Sequence, residues 1–526
     1  MDPTQFNRPF LPVIDAALRR HANRCCLVFR DQAYSYGEVD RLSAQIANRL
    51  IDGGFRRGQN GAVYSLNSAL SFIATLGILR AGGVWLPINP RNSPSDNVAI
   101  LKQFGCQALF FQCAFTEPAD QLLHGGAEQG VPICLDGASA AAPKLSAWMA
   151  QASEARPQVD VAPTDLISIP LTGGTTGLPK GVMLSNRNFC ALDYGMRLAY
   201  EGREPVTLAA APLTHASGRI AICGLSSGVK TIIMEKVEPQ AILEAIGRQR
   251  VTDFFLPPTG VYALLDQPGV RGYDYSSLRA LSYGSAPMAT DRLKEALSVF
   301  GSVMRGGFGQ TECPMFIARL HPHEHYIDGD PSRGLVRDER LRSVGRATPL
   351  STIAILDDDG RMLPPPTNGE IAVKGPMVSE GYYGNPEETA KVRLNGWHLT
   401  GDIGYLDEEG YLHIVDRKKD MIITGGFNVY STEVEQALMR MDGIELASVI
   451  GEPDRRWGEA VCAYVEVTAG SRLTSTAIID QAKMQLGGVK APKRVTIVDE
   501  LPRTTVGKLD KKPLRAAAWA GQDRTI

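Results

Sequence analysis

The chain has 526 residues, of which 44% are hydrophobic and 21% charged, with a formal net charge of −2. That length exceeds a single core, so two or more domains are expected, and the composition is that of an ordinary globular protein. Lysines and arginines are spread along the sequence rather than massed, which argues against a nucleic-acid groove or a basic membrane-binding face.

The nine cysteines include no C-x-x-C pair and read as reduced, mostly buried thiols. Met1-Asp-Pro-Thr-Gln-Phe6 carries no secretory pattern, so a cytoplasmic protein is expected.

Apolar positions at helical spacing predict a helix over residues 37–50, and residues 59–65 read as a turn entering a strand. Residues 69–88 approach the length of a membrane span. Arg80-Ala-Gly-Gly83 interrupts them and Pro87 lies near their end, so they read as a buried helix followed by a buried strand. Further strands are expected at 108–111, 131–135, 166–169 and 231–234, and such alternation argues for doubly wound parallel sheets.

From Ser343 the texture changes. Short strands at 351–356, 369–374 and 411–415, separated by Gly, Pro, Asp and Asn, suggest a small barrel-like subdomain. After the polar knot Asp416-Arg-Lys-Lys-Asp420 comes a compact α+β unit. It has strands at 421–424, 447–451 and 460–467, a helix opened by a Thr432–Glu435 capping box, and a helix from Ser475. The boundary falls at Lys418-Lys419, dividing the chain into 1–418 and 419–526. No repeat or low-complexity tract occurs.

The most informative stretch is Leu171-Thr-Gly-Gly-Thr-Thr-Gly-Leu-Pro-Lys-Gly-Val182, ahead of a helix opened by Ser185-Asn186. Glycines let backbone approach a phosphate chain, threonine hydroxyls and N–H groups donate to its oxygens, and Lys180 adds charge. It differs from the common nucleotide loop, because no Ser or Thr follows Lys180 to hold magnesium.

Three further segments offer chemistry. Gly306-Gly-Phe-Gly-Gln-Thr-Glu312 sets an aromatic ring, a hydroxyl and a carboxylate around a tight turn. Asn395-Gly-Trp-His-Leu-Thr-Gly-Asp402 presents a carboxylate on a loop ahead of a strand. Pro502-Arg-Thr-Thr-Val-Gly-Lys508 puts a lysine on an exposed segment. His321-Pro-His-Glu-His325 has the look of a metal cluster but lacks a predictable fourth ligand, so a polar loop is expected there. Cys313 is expected to be a buried or pocket-lining thiol, not a nucleophile.

Taken in this order, these segments resemble the adenylate-forming superfamily, and in particular its acyl-CoA synthetase branch, over nearly the whole chain. Arg80 to Pro90, Pro212-Leu-Thr-His215, Tyr283-Gly-Ser-Ala-Pro287, Gly381-Tyr-Tyr383 and Asp416 to Asp420 add to the likeness. The resemblance implies an α/β fold: a large N-terminal domain of two doubly wound sheets plus a small β-barrel-like subdomain, and a small mobile α+β C-terminal domain.

It also assigns roles. Thr172, Gly173, Gly174, Thr175, Thr176, Gly177 and Lys180 would cradle the ATP phosphates. Gly284, Ser285 and Ala286 on one side, with Phe308 and Gly309 on the other, would hold the adenine. The family's usual tyrosine is Phe308 here, which keeps a π face for stacking but loses a hydroxyl. Thr311 would bond the α-phosphate or the acyl carboxylate, Glu312 would hold Mg2+, and Asp402 with Arg417 would bind the ribose. His215 would stand at the mouth of the acyl pocket.

Lys508 would stabilise the charge that develops as the acyl carboxylate attacks the α-phosphorus. A hinge at Lys419 would then withdraw it and bring Gly425 and Gly426 to a CoA tunnel. The implied reaction is ATP-dependent conversion of a carboxylic acid to acyl-AMP and pyrophosphate, followed by transfer to CoA. The partners are thus small molecules, with no nucleic acid and no membrane segment, and the protein a monomer or homodimer.

A carrier-protein loader is the alternative, and a luciferase-type oxygenase shares the motifs. A non-catalytic relative would have lost Lys508, Glu312 or Asp402, and all three are present. Residues 212–218 contain no aspartate to bind an ammonium group, which favours an unaminated acid. Candidate pocket positions His215, Ser217, Phe255, Thr259, Tyr262, Gly284, Gly307 and Met315 suit a hydrophobic fatty, aromatic or alicyclic acid. Arg219 or Arg305 could meet a second carboxylate if turned inward, but surface orientation is expected of them.

Overall fold

The computed structural model describes residues 3–125, 130–137, 139, 142–172, 179–468, 470–504 and 509–520. They form two compact units, residues 1–352 with 373–396 and residues 353–372 with 397–526.

The first unit carries both large sheets. In the nine-stranded sheet, six parallel strands lie in the order Met304–Phe308, Ala280–Gly284, Asp253–Leu256, Val206–Ala209, Lys230–Ile233, Cys25–Phe29. Antiparallel strands extend both edges, Gln32–Ser35 at one and Ala318–Leu320 with Arg346–Ala347 at the other. The second sheet is parallel through Leu166–Ser168, Val84–Leu86, Asn60–Tyr64, Ala108–Phe111 and Val131–Cys134. Its other side is closed by Lys180–Ser185, antiparallel, and then by Gly381–Tyr382. Two doubly wound sheets are therefore present as expected.

Local chemistry explains the elements. Ser35 caps the helix Tyr36–Asp52 in a capping box with Glu38. The apolar run at residue 69 becomes the buried helix Ala69–Arg80 and then the strand Val84–Leu86. Arg80, which broke the membrane pattern, is 1% exposed and ion-paired to Asp15 at 3.1 Å and Asp40 at 2.7 Å. Among the described residues no helix is long and apolar enough to cross a membrane.

One local expectation needs amendment. A strand, Lys180–Ser185, intervenes between the phosphate-loop segment and the helix Asn186–Tyr200. The expected helix start is right, since Ser185 caps it with Asn188.

In the second unit, strands lie in the order Thr352–Leu356, Gly369–Lys374, Trp397–Leu406, Leu412–Arg417, the first two lying partly in the other unit. The C-terminal sheet runs Phe427–Val429, Ile422–Thr424, Gly458–Val467, Ile444–Asp454, with Arg494–Ile497 parallel beside the third. Its core gathers Ile422, Val434, Leu438, Val449, Val461 and Ile478.

The expected Thr432–Glu435 capping box does not form. The helix begins at Ser431, Tyr430 holds the cap position without a side-chain bond, and Thr432 falls in the first turn. Asp416 supplies the carboxylate instead, accepting from the Ser431 amide, from Ser431 Oγ at 3.1 Å and from Thr432 Oγ1 at 3.2 Å. Glu435 turns away, accepting from the Val449 amide at 2.8 Å and pairing with Lys511 at 2.7 Å.

Candidate active site

The strands Ala280–Gly284 and Met304–Phe308 are adjacent and parallel, with Gly284 opposite Gly307. Their C-terminal ends open into loops, the place where open α/β sheets bind ligands. A Cβ on Gly284 would stand 2.5 Å from the Gly307 carbonyl oxygen, so this approach requires glycine. Ser285 follows with φ of +69° and is exposed. Phe308 is 9% exposed, and its carbonyl accepts from the Ile317 amide at 3.1 Å.

The chain then turns tightly. Gln310 and Cys313 exchange backbone hydrogen bonds of 3.0 and 3.3 Å, and a Cβ on Gly309 would meet the Met315 nitrogen at 2.5 Å. That crowding holds Thr311 and Glu312 at the end of the strand, both half-buried. Cys313 is buried and its thiol is pushed far up by burial, in keeping with an inert role.

A residue to which the sequence gave no task ties this turn to Lys180. Tyr382 pairs with Val182 on the strand that leaves the loop. Its hydroxyl donates to Glu312 Oε1 at 2.8 Å, and the Lys180 ammonium lies 5.2 Å from the centre of its ring. Burial, with the charge of Glu312, pushes the Tyr382 phenol up, so it stays a donor. Lys180 also pairs with Glu388, whose carboxyl is held down to about 2 by hydrogen bonds from Lys180 and Lys391. The Ser379 amide donates to the Glu312 carbonyl at 2.8 Å, and Arg187 pairs with Glu380. The segment 379–388 thus holds both Lys180 and Glu312. The Gly-Tyr-Tyr triplet was the available signal for it.

Of the other residues expected to hold phosphate, Thr172 ends the short strand Leu171–Thr172. Gly173, Gly174, Thr175, Thr176 and Gly177 lie outside the described residues.

His215 occupies the cap position of the helix Ala216–Gly224, its amide bonded to the Pro212 carbonyl at 3.0 Å. A Cβ on Gly218 would come within 1.9 Å of the Leu213 carbonyl oxygen, so the turn and the helix are pressed together. Arg219 on that helix is 8% exposed and the Arg305 side chain 13%, so neither takes the expected surface orientation. His325 spends its ring nitrogens on Tyr283 at 3.2 Å and on the His321 and Pro322 carbonyls at 3.1 and 3.2 Å. Burial brings its pKa down to about 4.

In the second unit, Asp402 and Arg417 face each other across paired strands, joined at 2.6 Å, with Asp402 2% exposed. Asp402 sits within the strand Trp397–Leu406 and not, as expected, on a loop before one. Lys419 is exposed in a single turn, Lys418–Asp420. Its neighbours are fixed on either side: Lys418 to Asp358 at 3.1 Å and Glu370 at 3.0 Å, Asp420 to Arg515 at 2.7 Å. Gly425 and Gly426, with φ of +57° and +81°, form the two-residue turn of the hairpin that pairs Thr424 with Phe427. Lys508 lies outside the described residues.

A model of the AMP-binding enzyme family matches residues 14–383, and one of the AMP-binding enzyme C-terminal domain matches residues 433–508. A medium/long-chain-fatty-acid–CoA ligase of Mycobacterium tuberculosis is 34% identical, over 97% of this chain and 90% of its own. A feruloyl-CoA synthase of an Amycolatopsis species is 33% identical, over 92% and 94% respectively. The solved structure of an amide bond synthetase from Marinactinospora thermotolerans superposes with a TM-score of 0.86 at 29% identity, covering 97% of this chain and 100% of that one. With a family model matched over most of its length and relatives aligned nearly end to end, the chain belongs to the AMP-binding enzyme family as an AMP-forming acid–thiol ligase.

Proposed function

We propose that Lys180, Thr311, Glu312 and Tyr382 form the adenylating end of the site. There ATP activates a carboxylic acid with an apolar body, and the acyl group then passes to CoA. The observation that carries this assignment is the single tyrosine that meets Lys180 through its ring and Glu312 through its hydroxyl.

Glu312 fits a magnesium ion. It is a half-buried carboxylate with Oε1 held by Tyr382, and the described residues offer no cluster of three His, Cys, Asp or Glu for a metal of other taste. Mg2+ accepts one carboxylate when phosphates and waters complete its octahedron. When bound, it would neutralise charge on the phosphate oxygens.

Lys180 would hold the outer phosphates. Thr311 would orient the α-phosphate or the acyl carboxylate, and Lys508 would reach the α-phosphoryl oxygens as charge builds there. Asp402, fixed by Arg417, would accept the ribose hydroxyls. Turning about Lys419 would exchange Lys508 for the Gly425–Gly426 hairpin on the CoA side. Such a chain would work in the cytoplasm, where ATP and CoA are supplied.

The test is pyrophosphate and AMP release with ATP and Mg2+ over a wide panel of acids, with CoA, with a phosphopantetheinylated carrier protein, with an amine, and with no acceptor. AMP release dependent on an acid, and a thioester formed only with CoA, are expected. Thioester formed only on the carrier would move the second step to that acceptor. A protein that never yields AMP would end the assignment.

A further inference from the structure

Side chains alternate faces along a strand. Phe254, Leu256, Leu281, Tyr283 and Met304 belong to the core on one face of the nine-stranded sheet. Their neighbours Asp253, Phe255, Ser282 and Arg305 therefore occupy the opposite face, the one shared by Gly284 and Gly307. Strand pairing sets Arg319 directly beside Gly307, and Arg305 lies two residues, about 6.6 Å, below Gly307 on its own strand.

The charges on this face do not balance. Arg305 Nε donates to Ser282 Oγ at 2.9 Å. Arg305 and Arg203 both stand near Asp253 Oδ1, at 3.8 and 3.7 Å, too far for hydrogen bonds, and both buried Asp253 oxygens lack a hydrogen-bond partner among the described residues. The Arg319 guanidinium carbon lies over the Phe316 ring, 4.8 Å from its centre, and Arg319 has no ion pair or hydrogen bond among the described residues. Arg203 also donates to the Ala199 carbonyl, and strand pairing sets a further arginine, Arg346, opposite Arg319, so cations outnumber Asp253 on this face.

Surrounding protein and the charge of Arg305 press the Arg319 pKa down to about 9. An arginine nevertheless keeps its proton at neutral pH, so Arg319 stays a cation. Arg319 is nonetheless only half-buried and the Arg305 side chain keeps 13% exposure, so neither is sealed inside the core. A wholly apolar acyl chain laid here would desolvate these cations without a partner.

We infer that Arg319, with Arg305 beneath it, receives the far end of the acyl group, and that the preferred acid carries a second anionic group, a carboxylate or its equivalent, remote from the carboxylate that is adenylated. The planar fork of an arginine accepts such a group through two parallel hydrogen bonds. The inference rests on the proposal that the acid is adenylated at the Gly284–Gly307 end of this face.

The experiment measures pyrophosphate release by the full chain for matched pairs of acids. Each α,ω-dicarboxylic acid is compared with the monocarboxylic acid in which a methyl group replaces the remote carboxylate, across a ladder of aliphatic lengths and one para-substituted aromatic pair. For the best-fitting length, kcat/KM should favour the diacid by at least about 100-fold, because a site built to bond a polar group rejects the analogue that lacks it. Arg319→Met should collapse that ratio by a similar factor, and Arg319→Lys should restore part of it. The ratio is internal to each variant, so partial loss of folded protein does not blur it. Preference for the monoacid at every length, or an Arg319→Met variant with an unchanged ratio, would overturn the inference and leave adenylation standing. Absence of pyrophosphate with every acid would instead overturn the adenylation assignment, and this inference with it.

Discussion

The two ends of the strand Met304–Phe308 do different work. Its C-terminal end runs into a turn where backbone crowding at Gly309 and the Tyr382 hydroxyl fix Thr311 and Glu312. Those residue types follow from chemistry that any acid activated by ATP must undergo. Its N-terminal end places Arg305 near Asp253, on the face proposed to take the acyl group, and nothing in the reaction itself asks for arginine there. On the proposed reading, one strand separates how the acid is activated from which acid is chosen. Variants at the upper end should therefore slow every substrate alike, and variants lower down should change the ranking of substrates.

The largest effect expected bears on the upper end. Lys508→Ala should reduce acyl-adenylate formation by about 10²–10³-fold, the usual cost of removing a donor to developing oxyanion charge. Thioester formation from preformed acyl-adenylate should continue. Single-turnover measurement of each half-reaction decides this, and an equal fall in both would mean that Lys508 does not act on adenylation alone.

The converse variant is Lys419→Pro. Lys418 and Asp420 are each anchored, so the φ change of a hinge would fall on the residue between them. Pyrophosphate release on acyl-adenylate formation should persist while thioester formation stops. Wild-type overall turnover would remove the hinge from this position.

The sequence made the upper end readable because its chemistry needs particular residue types at fixed spacing, and glycines forced by close approach leave a visible pattern. Gly284, Gly309 and Lys180 were legible for that reason. Tyr382 carried no such signal of its role: its partnership with Glu312 spans 70 residues and exists only because Gly381–Tyr382 joins the sheet beside Val182. Arg305 was visible only as a cation that could meet a second carboxylate if turned inward, and Arg319 was not singled out at all. Arg319 sits in an unremarkable apolar strand, and only antiparallel pairing with Gly307 places it on the acyl face. The Thr432–Glu435 pattern misled because a distant carboxylate, Asp416, was better placed to meet the same helix end.

A pair of glycine variants sharpens the division between scaffold and choice. Gly284→Ala would drive a methyl group to 2.5 Å from a backbone oxygen and should destabilise the fold by about 1–3 kcal/mol. Gly307→Ala meets nothing closer than 3.9 Å and should unfold within about 0.5 kcal/mol of the wild type. Because its methyl group would project on the acyl face, KM for bulky acids should nevertheless rise relative to slender ones. Denaturant unfolding, paired with a substrate panel, checks both. Equal destabilisation by the two substitutions would contradict the strand pairing on which the acyl face is built.

The smallest effect isolates one hydroxyl. Tyr382→Phe keeps the ring beneath Lys180 and so keeps the cation–π contact, but removes the 2.8 Å hydrogen bond to Glu312. A hydrogen bond of this kind contributes about 1 kcal/mol or somewhat more because its acceptor is charged, so adenylation should slow about 5–10-fold. If Glu312 is the magnesium carboxylate, the loss should appear mainly as a higher Mg2+ concentration for half-maximal rate, with little change in the ranking of acids. Titration of Mg2+ at saturating ATP separates the cases. A slower variant with an unchanged Mg2+ requirement would leave Tyr382 positioning the loop strand and take the metal away from Glu312.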